Sequence, residues 1–234
     1  MLTLIGWIDG LTASFVVVFG FLFGLFFIYK SKKTDVKILI SLGLATLFAG
    51  LAFLGVFLDF VTVLISNVNI DNTHGIVGIL SYIWLPPAII TAIYIGAKLL
   101  MPKKKWIILS LFGLLGIFFE VIIFLDPFAA FNFDDPLIPG TLLIDYNTII
   151  DSIAGILMAF FLLSTLILLG VGFILKAFQS SGVLKKKLLL LSLGAIFFCV
   201  FGLLEGLTAP GLMVIFVRLG YLASFWFMYY GLKD

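Results

Sequence analysis

The sequence predicts an all-α integral membrane protein with seven transmembrane helices, and three observations support that prediction. The chain has 234 residues, of which 63% are hydrophobic and only 11% are charged. Soluble domains carry about 25% charged residues, so lipid is the expected solvent. The apolar residues form seven long runs, each near the roughly 20 residues that cross a bilayer as a helix. The lysines lie in loops that follow alternate runs.

The seven predicted spans follow directly from these apolar runs. Helices are required, because an exposed strand edge cannot satisfy its hydrogen bonds in lipid. The predicted spans are residues 8–29, 38–64, 76–101, 106–125, 149–176, 188–208 and 211–231. The first run follows a segment without lysine or arginine and is longer than the apolar core of a cleaved signal sequence. We therefore expect it to stay in the membrane as the first helix.

The charged residues predict an orientation, because all thirteen lysines fall on one side of the predicted bundle. They follow the first, third, fifth and seventh spans: Lys30, Lys32, Lys33, Lys37, Lys98, Lys103, Lys104, Lys105, Lys176, Lys185, Lys186, Lys187 and Lys233. The other side carries aspartates and no lysine: Asp9, Asp59, Asp71, Asp126, Asp134, Asp135, Asp145 and Asp151. The positive-inside rule then predicts an external N-terminus and a cytoplasmic C-terminus.

Three short sequence matches predict an internal repeat within a single domain. They pair IDG with IDS, LISLG with LLSLG and YIGAK with YYGLK, in the same order along the chain. The repeats would be residues 8–101 and 149–233, joined by a linker helix at 106–125. Parallel repeats of this kind occur in some transporters. Chance similarity between apolar, glycine-rich segments is the alternative.

Arg218 is the only arginine and lies inside the last predicted span. At about 1.5 Å per residue, it lies at the same depth as Glu120, with Glu205 and Asp59 nearer the acidic side. A lone charge at such depth costs about 2.5 kcal/mol or more, so we expect a partner. Glu205 is the preferred partner, because the short turn 208–211 makes the last two spans neighbours. Glu120 is the second choice.

This predicted charged cluster has two interpretations. In the first, Arg218 forms a polar site that grips an anionic or zwitterionic group through its bidentate fork. In the second, the arginine forms a structural ion pair that fixes helix register, or extends outward to lipid headgroups. The sequence leaves both open.

Three further features bear on the shape of the bundle. Pro86 and Pro87 predict a kink in the third span, which would act as a hinge or a pocket wall. The GxxxG motif at 20–24 predicts a close helix approach within the fold. The acidic and aromatic loop 126–146 is expected either to fold over the bundle as a lid or to connect two spans loosely.

Several kinds of chemistry are excluded by what the chain lacks. His74 is the only histidine, so metal sites built on two or three histidines and bis-histidine haem are excluded. No predicted span has an interior lysine for a retinal Schiff base, and no glycine-rich phosphate loop is present. We therefore expect no metal, no cofactor and no nucleic-acid partner. An enzyme is the third candidate function, since carboxylates alone can perform acid–base chemistry.

Two functions are favoured over an enzymatic one. One is a sensor or receptor-like module that binds a small-molecule or lipidic ligand near the outer face. The other is a small-solute transporter built from the two repeats. Polar residues in the inner halves of the spans are few: Ser41, Thr91, Ser164, Thr165, Ser192 and Ser224. That scarcity favours a bundle that is closed on the inside.

Overall fold

Long apolar helices dominate the molecule, as the hydropathy pattern predicts. In the computed structural model, which describes residues 1–208 and 211–233, 77% of the chain is helical. Six helices are long and apolar enough to cross a membrane, and a bent helix pair makes a seventh crossing if it is counted as one span. The chain is therefore a polytopic helical membrane protein. The exact number of crossings and the repeat stay predictions.

The elements are numbered here in chain order. In the described residues the helices are α1 Leu4–Thr34, α2 Ile38–Leu51, α3 Leu54–Ser66, α4 Ile76–Tyr82, α5 Leu85–Leu100, α6 Lys105–Leu125, α7 Pro127–Ala130, α8 Ile153–Thr165, α9 Gly172–Phe178, α10 Gly182–Glu205 and α11 Leu212–Leu232. A π-helical segment, Leu166–Val171, joins α8 to α9. Two short strands, β1 Phe131–Asp134 and β2 Asp145–Thr148, form an antiparallel hairpin. The turn predicted at 208–211 lies partly outside the described residues.

Local capping fixes where the helices enter the membrane from the aspartate-rich side. The Thr3 hydroxyl accepts a hydrogen bond from the Gly6 N–H at 3.3 Å, at the start of α1. The Ser152 hydroxyl accepts one from the Gly155 N–H at 3.0 Å, at the start of α8. Such caps satisfy N–H groups that have no partner within the helix.

The second span is bent near the middle of the bundle. It bends by 46° between α2 and α3, at residues 52–53, without a proline. The third span, Ile76–Leu100, passes from α4 to α5 without a comparable bend, and residues 83–84 keep right-handed helical dihedral angles. Pro86 and Pro87 lie in the first turn of α5, where a missing N–H costs little. The kink and the hinge expected at the proline pair stay predictions.

The spans pack as a ring with one helix outside it. The ring order is α1, α2, α5, α8 with its π-helical extension, α10 and α11, and α11 packs back against α1. The linker helix α6 lies outside the ring, against α5 and α8. In the following, the end of the bundle that carries the β-hairpin is called the acidic end, and the opposite end is called the lysine end.

The long loop after α6 folds across the acidic end. The buried side chains of Phe131 and Ile144 hold the hairpin segment against the helices. The Thr3 N–H donates to the Thr141 carbonyl at 2.8 Å, which ties the loop to the start of α1. The hairpin is a departure from a purely helical fold. It is tolerated because its backbone groups pair with each other at the end of the bundle.

Close backbone packing joins α1 to α2 in the middle of the bundle and toward the lysine end. A Cβ atom on Gly20 would lie 2.5 Å from the Gly50 Cα, and one on Gly43 would lie 2.7 Å from the Gly24 carbonyl oxygen. Only glycine fits such contacts. The GxxxG motif at 20–24 therefore brings two helices together within the fold.

The glycines that the repeat would pair have different neighbours. Gly96 packs against Leu168 of the π-helical segment, whereas Gly231 packs against Leu191 of α10. Under the predicted symmetry, Gly231 would contact α1 instead. The ring order agrees with two equivalent triplets, but these glycine contacts do not support the proposed alignment. The repeat therefore stays a prediction.

Candidate functional site

Arg218 is buried within the ring, and its donors are used by its own chain. It lies in the second turn of α11 and is only 4% exposed. Its Nε and Nη2 atoms both lie 2.9 Å from Glu205 Oε1. Its Nη1 lies 2.5 Å from Asp9 Oδ1, 2.7 Å from the Asp9 carbonyl oxygen and 2.9 Å from Thr12 Oγ1. These four residues are called the Arg218 cluster.

The face of an aromatic ring completes the environment of the guanidinium. The Arg218 Cζ lies 5.3 Å from the centroid of the Phe53 ring, within the range of a cation–π contact. Phe53 stands at the bend between α2 and α3. The arginine, on α11, is therefore held by residues from α1 and α10 and by the bend of the second span.

The Arg218 cluster contains one positive group and two carboxyl groups. Asp9 and Arg218 are nearly buried, while 23% of the Glu205 side chain is exposed. The Oε2 atom of Glu205 is itself buried and has no hydrogen-bond partner among the described residues. With both carboxyl groups ionised, the cluster has a surplus negative charge. It favours a further positive group or a proton.

The structure brings only some of the predicted site residues together. Glu205 contacts Arg218, whereas Glu120 lies on α6 outside the ring. Glu120 is half-buried and makes no hydrogen bond or ion pair to any part of the chain that the structure describes. Its depth along the bundle matches Arg218, but depth alone does not make α6 and α11 neighbours.

Asp59 does not contact the Arg218 cluster and instead anchors two loops. Its fully buried carboxylate accepts hydrogen bonds from the N–H groups of Ile70 and Ile144, both at 2.8 Å. It also accepts one from the Asn69 amide at 3.0 Å. This carboxylate joins the loop after α3 to the long loop that crosses the acidic end.

Asp9 and Thr12 are not among the residues that the sequence predicts for the cluster. A signal for Asp9 exists, because Asp9 lies in the second turn of α1 and Arg218 in the second turn of α11. Both helices enter the membrane from the acidic end, so the two residues reach equal depth. Depth counted only from the lysine end does not reveal this match.

A cavity opens at the acidic end of the described part of the chain. It has a volume of about 510 Å³ and lies between the start of α1 and the hairpin. This cavity, called the acidic cleft, is lined by Ile5, Gly6, Asp9, Asn132, Phe133, Asp134, Asp135, Pro136, Leu137, Leu142, Leu143, Asp145 and Asn147. No lysine or arginine contributes to this lining, so the cleft is electronegative.

Two smaller cavities lie beneath the acidic cleft. A polar cavity of about 20 Å³ shares Asp9 and Asp145 with the cleft and also touches Arg218 and Glu205. An aromatic cavity of about 50 Å³ follows. It shares three residues with the polar cavity: Tyr82, Tyr146 and Glu205. The three spaces form a series that runs from the acidic end into the ring.

Deeper in the ring the lining is apolar. A cavity of about 20 Å³ lies between the two helix triplets and is lined by Leu42, Ala45, Thr46, Ala49, Ala88, Ala92, Leu169, Phe198, Phe225 and Met228. The Thr46 hydroxyl donates to the Leu42 carbonyl of its own helix at 2.9 Å. It is the one polar side chain in this lining.

Asp145 lies at the rim of the cleft, where its surroundings shift the pKa of its carboxyl group. Burial raises the pKa of its carboxyl group to about 6, and the charges of Asp9 and Asp134 act in the same direction. Hydrogen bonds from the Tyr146 N–H and the Asn147 amide oppose this effect. The hairpin therefore carries a carboxyl group that changes charge in a mildly acidic medium.

Comparisons with protein-family models, curated proteins and solved structures find no match to the chain.

Proposed function

We propose that this polytopic membrane protein is a sensor or receptor-like module that binds a small ligand entering at the acidic end. One observation carries the proposal: the cavities lead from the acidic cleft to the Arg218 cluster, whereas the space between the triplets is apolar. A ligand could therefore reach buried charges from one end. A polar route to the lysine end is missing among the described cavities.

The geometry favours a positively charged ligand over the anionic group that the sequence predicts. The donors of Arg218 are already engaged by Asp9, Thr12 and Glu205, so its fork has little left to offer an anion. The acidic cleft carries four aspartates and would concentrate cations at its mouth. The aspartates of the cleft and the surplus carboxyl group of the Arg218 cluster thus both favour a cation.

A small-solute transporter is the alternative, and the bent second span favours it. Discontinuous helices form substrate sites in many transporters, and here the second span bends by 46° within the ring. A transporter must expose its site to both ends in turn. The two functions therefore differ in whether the deep apolar cavity ever becomes accessible to water.

Cysteine accessibility separates these two functions. In a background where Cys199 is replaced by alanine, we expect Asn147→Cys in the acidic cleft to react with a cationic methanethiosulfonate reagent faster than with an anionic one. Thr46→Cys in the deep cavity should react from neither end. Equal rates for both reagents at residue 147 would contradict the cationic ligand. Labelling of residue 46 from both ends would favour the transporter.

We also propose that the acidic end faces outward and the lysine end the cytoplasm. The support is the one-sided distribution of the lysines. In intact cells, an impermeant thiol reagent should label Asp71→Cys and leave Lys104→Cys unmodified in the same Cys199→Ala background. The opposite pattern would overturn this orientation, and labelling of both positions would indicate a mixed topology.

A further inference from the structure

The aromatic cavity beneath the Arg218 cluster is lined by aromatic rings that pack against one another. Five aromatic side chains and one carboxyl group border it: Phe53, Tyr82, Tyr146, Phe198, Tyr221 and Glu205. The rings contact one another, with Phe53 and Tyr221 centroids 5.2 Å apart and Tyr82 and Tyr146 centroids 5.8 Å apart. Mutual packing of this kind holds the rings in place before any ligand arrives.

Hydrogen bonds occupy two of the tyrosine hydroxyl groups. The Tyr82 hydroxyl lies 3.1 Å from Thr148 Oγ1, and the Tyr221 hydroxyl donates to the Ala49 carbonyl at 3.2 Å. A ligand in the cavity would therefore contact mainly the ring surfaces of these side chains. Ring surface attracts cations, as Phe53 already does for the Arg218 guanidinium.

Glu205 supplies the charge at the edge of this cavity. Its Oε1 atom takes both contacts from Arg218, while its buried Oε2 has no hydrogen-bond partner among the described residues. A buried carboxylate oxygen without a partner is costly. An N–H group of a cationic ligand in the cavity would satisfy it.

The bend of the second span borders the same cavity. Ala52 and Phe53 come from the bend between α2 and α3, and Tyr82 and Leu85 flank residues 83–84, where α4 passes into α5 without a comparable bend. Irregular backbone at membrane depth is tolerated where it is buried in protein or lines a cavity, and in transporters it commonly forms the site. The position of the bend between α2 and α3 is thus an independent indication of a binding site.

Size and chemistry limit the ligand. The cavity measures about 50 Å³, whereas a single water needs about 10–15 Å³ in comparable terms. A compact head group fits. In the described chain no group of three or more metal-binding side chains is found, and Glu205 is the one carboxylate in a lining whose other polar side chains are tyrosines. These properties favour an organic cation over a metal ion.

We propose that the aromatic cavity binds the head of a small organic ammonium ion, with Glu205 as its charge partner and the tyrosine rings as its walls. This assignment rests on the proposed function, in which the acidic cleft is the entrance. The chemistry of the cavity specifies the ligand class for that function, which is primary or methylated amines.

The test uses the full chain in detergent, with methylammonium chloride as the probe and sodium chloride at equal ionic strength as the reference. We expect a saturable rise in melting temperature with methylammonium only. Glu205→Gln should weaken the apparent affinity at least tenfold. Glu120→Gln removes a carboxyl group at similar depth outside the ring and should leave the affinity unchanged.

A second pair of variants leaves the Arg218 cluster intact. A Cβ on Gly202 would lie 3.6 Å from the Tyr221 ring and 3.7 Å from Leu162, which is ordinary contact. Gly202→Ala should therefore fold and serves as the stability reference. Gly202→Leu should fill the cavity and abolish the response to methylammonium. This pair keeps the test decisive if Glu205→Gln does not fold.

Three results would overturn the assignment. A methylammonium response that survives Gly202→Leu but disappears in Asp134→Asn/Asp135→Asn would place the cation in the acidic cleft, which supports the proposed function and refutes the aromatic site. A stability change that follows pH alone, identical in both salts and absent in Glu205→Gln, would mean that Glu205 carries a proton in place of a ligand. The absence of any response in the folded wild type would refute the site, while residues 147 and 46 test the entrance separately.

Discussion

The acidic end and the lysine end of the bundle use their charges in opposite ways. At the acidic end, Asp9, Asp59 and Arg218 are buried and bonded to other parts of the chain. At the lysine end the lysines lie mostly on exposed loops and helix ends, and close glycine contacts hold the nearby helices. The difference indicates that the charges at the acidic end are bonded within the fold, whereas those at the lysine end are mostly exposed.

The two ends also differ in what stabilises them. Buried charges lose hydration, so the acidic end depends on each carboxylate keeping its partner. Glycine contacts between α1 and α2 depend on dispersion and shape, which are insensitive to pH and salt. Substitutions should therefore have larger and more condition-dependent effects at the acidic end.

The largest effect is expected for Arg218→Met, which strands Asp9 and Glu205. Removing one member of a fully buried ion pair costs about 3–5 kcal/mol, and less where water reaches the site. Thermal unfolding in detergent measures the loss. The double variant Arg218→Met/Glu205→Gln should recover part of it, because one stranded carboxylate is neutralised.

Glu120→Gln is the matched control for this series, because Glu120 has a similar depth but no partner among the described residues. We expect little change in its melting temperature. If Arg218→Met unfolds at the wild-type temperature, buried charge does not hold the acidic end, and the contrast between the two ends fails.

Asp59→Asn should weaken the attachment of the loops at the acidic end. The substitution removes the charge that accepts hydrogen bonds from Ile70 and Ile144, and bonds to a charged group contribute about 2 kcal/mol. Proteolysis within residues 126–146 should become faster. Asp151→Asn, at an exposed position, is the control. Equal cleavage rates in both variants would mean that Asp59 is not the anchor.

Gly43→Ala tests the glycine packing toward the lysine end. The added methyl group would lie 2.7 Å from the Gly24 carbonyl oxygen, so the helices must move apart. Overpacking of this kind costs about 1–2 kcal/mol. Gly113→Ala on α6 meets no atom within 4 Å and should not destabilise the protein. A loss of stability in both variants would point to helix propensity or membrane insertion as the cause, instead of packing.

The smallest effect concerns pH and the hairpin. Burial and the neighbouring charges of Asp9 and Asp134 raise the pKa of Asp145 to about 6, from an ordinary value of 3.8. The folded hairpin therefore binds this proton more tightly than the unfolded chain does. The contribution of Asp145 to stability should be fully present below about pH 4 and should be lost as the pH rises through 6.

Melting temperatures between pH 4 and 7 measure this dependence, and Asp145→Asn should remove the part that belongs to Asp145. Glu205 and Arg218 line the same polar cavity, so the difference between wild type and variant is the relevant quantity. An identical pH profile in both proteins would show that Asp145 does not titrate in this range.

Much of the helical framework could be predicted from the sequence because apolar length and lysine position are strong local signals. The predicted span 106–125 matches Lys105–Leu125 within one residue, and 211–231 matches Leu212–Leu232 equally well. These features depend on residues that are close together in the chain.

Features that depend on distant contacts could not be predicted in the same way. The bend at residues 52–53 contains no proline or glycine, and the hairpin forms because Phe131 and Ile144 find a surface to cover. The contact of Asp9 with Arg218 could be inferred only by comparing the depths of the two residues from the acidic end. The Glu205 contact was expected from a short connection, whereas the Asp9 contact spans almost the whole sequence.

The bond between Asp9 and Arg218 also has a consequence for biosynthesis. Their separation is 209 residues, so α1 enters the membrane long before its ionic partner is translated. Until α11 inserts, the ring is open on one side and the Asp9 carboxylate lacks its counter-charge. Closure of the ring is therefore a late folding event, and an unfinished chain differs from a finished one by an unpaired acid that faces the gap.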